Sequence, residues 1–86
     1  MTTPEKILVD LLAGQSTSDA LAERMRIPML SVRAMCERHQ KEGLLDHTKI
    51  ADVLVVWALT YDGRITAEEL KTKVRGAKPG TANVAR

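Results

Sequence analysis

The 86 residues carry a formal net charge of +2 and one cysteine, so the chain is expected to form one small domain without an internal disulfide, suited to a reducing cytosol. No apolar run reaches the roughly 20 residues of a membrane span, and Glu5 breaks a signal-peptide pattern; a soluble cytoplasmic protein with no membrane partner is expected. A chain this short buries only about 60–65% of its unfolded surface, so pairing with a partner would add stability.

Residues 1–3 are expected to fray. Pro4 is placed to open a first helix, with Thr3 as its cap and Glu5 favourable at the positive helix end. Ile7, Leu8, Leu11 and Leu12 repeat as one face, Val9 widens it, and Gly14 ends the helix. Gln15 to Ser18 form a polar connector in which Thr17 or Ser18 can cap a second helix, Asp19 to Met25. Pro28 cannot lie inside a helix but fits the first turn of one. The break therefore falls at about Arg26–Pro28, with Ile27 in the turn, and a third helix runs to about Glu42 before Gly43 stops it. Leu21, Ala22, Met25, Val32, Met35 and Cys36 keep the spacing of two packed helix faces.

Leu44–Asp46 is predicted to begin a strand, with His47, Thr48 and Lys49 in a loop region. Val53 to Leu59 is rich in β-branched and aromatic residues and reads as a strand covered on both faces, by the helices and a second subunit, with Trp57 as a core anchor or an interface residue. Tyr61-Asp62-Gly63 is a turn signal. Thr66 and Glu69 have capping-box spacing, so a short last helix is predicted from Thr66 to Arg75, burying Ile65, Leu70 and Val74. Gly76 stops it, and residues 76–86 have the composition of a flexible tail.

The run from Ser18 to Leu45 resembles the helix-turn-helix of winged-helix regulators. In that family a Leu-Ala pair, an aliphatic turn residue, a further aliphatic residue and a Gly-Leu pair follow at set intervals; Leu21-Ala22, Ile27, Val32 and Gly43-Leu44 keep them. A second signature, a strand followed by Leu-Thr-x-x-Gly, closes the family's wing, and it is present as Leu59-Thr60-Tyr61-Asp62-Gly63. The resemblance implies an α+β, mostly helical domain over residues 1–75: a three-helix core, a β-hairpin wing and a short C-terminal helix. Arg26 stands where the family commonly has Gly at φ > 0, a conformation that costs a non-glycine residue about 1 kcal/mol.

The resemblance also implies that the third helix enters the major groove of double-stranded DNA. By position its outward residues are Met29, Leu30, Arg33, Ala34, Glu37 and Arg38. Arg33 is the best base reader, because a guanidinium bonds a guanine edge in two places, with Ser31 and Arg38 beside it. Met29 and Leu30 depart from the polar residues usual there. Three roles stay open for them: thymine-methyl contact, protein contact, or half-burial in the first turn. Arg24, Arg26, Lys41, Lys49 and Arg64 are the candidate phosphate contacts. Cys36 and His39 fall at core positions; the pair alone makes a poor zinc site, so no metal and no cofactor is expected. No nucleophile partners the two histidines and no phosphate-cradling glycine loop is present, so an enzyme is not expected.

Charge cuts both ways. Lys78 and Arg86 lie in an acid-free tail; without them 11 basic residues face 11 acidic ones, a neutral body. Between positions 24 and 41, however, five basic residues face only Glu37, a local balance of +4. The leading expectation is a small DNA-binding transcriptional regulator, acting as a homodimer because one short helix contacts too few bases. The alternative is a winged-helix module with a protein partner and little DNA affinity, supported by the neutral body, the charge-poor wing and Met29-Leu30.

Overall fold

The computed structural model describes residues 1–52 and 54–76. Helix α1 spans Thr3–Asp10, and its cap is Thr2, one residue earlier than expected. The Thr2 hydroxyl accepts from the Glu5 N–H while the Glu5 carboxylate accepts from the Thr2 N–H at 2.9 Å. That reciprocal box closes the start of α1 and keeps the Glu5 carboxyl below its usual range. A 3₁₀ turn, Leu11–Ala13, continues the helix to Gly14. The predicted apolar face is buried at Ile7, Leu8 and Leu11.

Helix α2, Ser18–Met25, is capped by the Thr17 hydroxyl accepting from the Ala20 N–H at 3.1 Å. Helix α3, Met29–Lys41, starts directly after Pro28, whose carbonyl accepts from Ser31 and Val32. Leu21, Val32 and Cys36 are fully buried between these helices, with Ala22, Met25, Ile27 and Met35 packed around them. Full burial of such a side chain contributes about 1.5–3 kcal/mol. Arg26, at the position where the resemblance implied a residue with φ > 0, adopts that left-handed conformation, at φ 57° and ψ 46°. Gly43, at φ 81°, ends α3 as predicted.

The sheet has three antiparallel strands in the order β1-β3-β2, with β1 at Ser16–Thr17, β2 at Leu45–Ala51 and β3 at Leu54–Leu59. Two corrections follow. His47, Thr48 and Lys49 are not loop but strand, paired with Trp57, Val56 and Val55. Their exposed side chains carry no alternation for a sequence reading to detect. The polar connector supplies β1, pairing Ser16 with Trp57 and Thr17 with Val56, so β3 is the central strand. Val53 lies outside the described residues.

The last helix, α4, spans Tyr61–Gly76 and so begins five residues before the predicted start. Tyr61-Asp62-Gly63 is helical because Thr60 caps it: the Thr60 hydroxyl accepts from the Gly63 N–H at 2.9 Å and donates to the Gly43 carbonyl at 2.6 Å. Thr66 and Glu69 consequently fall in mid-helix. The register of the buried face changes with the start. Ala67 is fully buried and Leu70 packs on the core, whereas Ile65 is 42% exposed. The side chain of Val74 and residues 77–86 lie outside the described residues. None of the described helices is long and apolar enough to cross a membrane.

Candidate nucleic-acid interface

The β2–β3 hairpin lies along α3, running in the opposite direction. At one end Gln40 of α3 donates to Nδ1 of His47 at 2.7 Å. At the other, Met29 and Arg33 line one cleft with Leu54 and Val55 of β3 and with Thr17, Ser18 and Asp19, a space of about 170 Å³. The start of β3 therefore lies beside the head of α3. Lys49 pairs across the hairpin with Val55, and directly paired residues share a sheet face. Its side chain therefore leaves on the same sheet face as that of Val55. Ile50, in the bulge between Lys49 and Ala51, is 61% exposed beside it.

The predicted base readers lie on one exposed helix. Met29 is 40% and Leu30 75% exposed, and Ser31, Arg33 and Arg38 are exposed as well. Half-burial is thereby ruled out for Leu30. Pro28, the residue before α3, makes no side-chain cap hydrogen bond.

The predicted phosphate contacts divide. Arg26 and Lys41 are exposed at the two ends of α3, and Lys49 is on the hairpin. Arg24 is engaged elsewhere. Its Nη2 donates to Asp10 Oδ2 at 2.6 Å and to Ser16 Oγ at 2.7 Å, while Nε faces the same carboxylate. The bond to Asp10 holds the guanidinium pKa above its ordinary value. Arg64 stands on α4, beyond Leu59, at the end of the hairpin away from its tip, and lines a groove with Ile65, Glu68, Glu69, Thr72 and Lys73. The remaining cations near α3 are Arg26, Arg33, Arg38, Lys41 and Lys49. The missed contributors to the cleft are Thr17, Ser18 and Asp19 at the head of α2 and Leu54 and Val55 of β3; for the last two, Asp52, a turn-favouring residue, was the signal that could have set the hairpin register.

The other candidates are structural. Cys36 is fully buried, and burial, with Glu37 second, pushes its thiol up to about 12. His39 is buried; its Nε2 donates to the Pro4 carbonyl at 2.9 Å and Nδ1 faces Glu42 Oε1 at 3.3 Å, tying α3 to the start of α1. Trp57 is a core residue whose indole N–H donates to the buried Ser18 hydroxyl at 2.8 Å, with the His47 ring 5.5 Å from its own. Among the described residues, no three His, Cys, Asp or Glu side chains gather as metal ligands.

No protein-family model and no curated protein sequence matches the chain. Solved structures do. The chain is similar to a double mutant of Lactococcus lactis ZitR in apo form, with a TM-score of 0.80 and 26% identity over 87% of this chain and 58% of that one. A ZitR mutant in complex with DNA aligns at a TM-score of 0.78 and 26% identity, covering 87% of this chain and 53% of that one. ZitR is a zinc-responsive MarR family member. The adhesin competence repressor AdcR of Streptococcus pyogenes gives a TM-score of 0.80 at 23% identity, covering 90% and 59%. The chain thus spans between half and three-fifths of the length of these proteins. Its two helices joined at Arg26, its β2–β3 hairpin and these neighbours give one assignment: the chain belongs to the winged helix-turn-helix superfamily.

Proposed function

We propose that the chain is a sequence-specific double-stranded DNA-binding domain of a small transcriptional regulator. The observation that carries this reading is the exposed face of α3, where Met29 and Arg33 line one cleft with Leu54 and Val55 at the start of β3. The likeness to a DNA-bound ZitR structure supports it. In this reading α3 enters the major groove. Arg33 reads a guanine edge, Ser31 and Arg38 contact the adjoining bases, and Arg26, Lys41 and Lys49 hold phosphates. A homodimer would read two half-sites, since one helix of 13 residues reaches few base pairs.

The test is a fluorescence-anisotropy titration of a selected operator duplex with the wild-type chain and with Arg33→Ala. Loss of one bidentate guanine contact is worth about 1–3 kcal/mol, so the variant should bind roughly 5- to 150-fold more weakly. Wild-type affinity in Arg33→Ala would sink the assignment. A second reading, a protein-interaction module, draws on the exposure of Met29, Leu30 and Ile50. It requires that no duplex binds at low salt and that Met29→Ser with Leu30→Ser abolishes capture of a protein partner.

A further inference from the structure

The head of α3 combines two features that are seldom adjacent. Leu30, 75% exposed, and Met29, 40% exposed, present aliphatic surface to water and are not among the side chains of the core. Beside them in the chain stand two exposed cations outside the ion pair that holds Arg24, Arg26 in the preceding turn and Arg33 one helical turn on, with Asp19 the acidic residue of the cleft lining. Exposed aliphatic groups flanked by guanidinium groups complement a surface that is apolar at its centre and anionic at its rim. The major groove offers this wherever a thymine C5-methyl lies between two phosphate backbones.

We infer that Leu30 and Met29 read thymine methyl groups beside the guanine read by Arg33. The inference rests on the DNA-binding reading above and adds the sequence feature read. Helix geometry sets the spacing. Leu30 and Met29 lie three and four residues before Arg33, about 4.5 and 6 Å along the axis. Base pairs follow one another at 3.4 Å, so each contacted thymine lies within two base pairs of the guanine. Affinity that a charge-poor wing does not supply comes in part from this apolar contact.

The experiment uses the full chain and an operator selected from random duplexes. Each thymine is replaced in turn by deoxyuridine, which removes the methyl and leaves the pairing edge unchanged. Burial of one such group is worth about 0.8 kcal/mol, or about fourfold in affinity. One or two positions within two base pairs of the essential guanine should therefore bind about fourfold more weakly as uridine. Leu30→Ala, at an exposed site that leaves folding intact, should erase the thymine–uridine difference at one position, and Met29→Ala at the other. Uridine duplexes that bind like thymine duplexes while Arg33→Ala still loses affinity would overturn methyl reading and leave the DNA-binding reading standing. A thymine–uridine difference that persists in both variants would overturn the assignment to these residues. Failure to bind any duplex at low salt would overturn both readings together.

Discussion

Arg26 occupies a backbone conformation that an L-residue adopts only under constraint. At φ 57° it ends α2, and its N–H and that of Ile27 both donate to the Ala22 carbonyl. Gly carries no such penalty, so Arg26→Gly should stabilise the fold by about 0.5–1 kcal/mol, raising Tm by a few degrees in thermal melts followed by circular dichroism. The same substitution should weaken DNA binding by one phosphate contact. A lower Tm would mean that the arginine side chain supports the turn. The turn itself was legible, because Pro28 and the apolar spacing leave the chain no other place to reverse. What Met29 and Leu30 do was not, because sequence alone does not tell a solvent-facing first turn from a half-buried one. Thr2 was missed for a comparable reason: with threonine at two successive positions before Pro4, only the backbone decides which one caps.

The Leu59-to-Gly63 signature acquires a physical meaning at the joint between hairpin and α4. Thr60 bridges two elements, its hydroxyl bonded to Gly43 and Gly63 and its N–H to the Leu44 carbonyl at 3.0 Å. Gly63 is packed so closely on Leu44 that a Cβ would overlap that residue's carbonyl oxygen. The obstacle is backbone, so it cannot rotate aside. Gly63→Ala should therefore cost about 2 kcal/mol or more, measured as a fall in the urea midpoint at unchanged m-value. A midpoint like that of the wild type would show that α4 shifts freely on the hairpin. Spacing marked this glycine correctly, but composition misassigned its surroundings. Tyr-Asp-Gly favours a turn locally, and the cap that makes it helical lies one residue upstream. Likewise β1, with two residues, is too short for any periodicity, and only its pairing with β3 defines it as a strand.

At the scale of the whole molecule, modest electrostatics follow from where the charges stand. Arg24 is bound to Asp10, Arg64 is on α4, and five cations remain near α3. Each phosphate neutralised contributes about 0.9 to the slope of log affinity against log salt, so Arg26, Lys41 and Lys49 together should contribute about −2.7 per bound chain. Arg24→Ala should leave the slope unchanged. A slope that becomes shallower in Arg24→Ala would show that the Asp10 pair opens on DNA. Layer order and wing were readable from two spaced signatures, whereas the sharing of cations between fold and surface depended on contacts distant in sequence, such as Arg24 with Asp10. A last consequence concerns the chain's single tryptophan. The Trp57 indole meets Ser18 at the head of α2 and His47 of β2 while its backbone lies between β1 and β2. Its emission is thus a built-in optical gauge of the joint between helix pair and wing, responsive to any parting of the two without an added label.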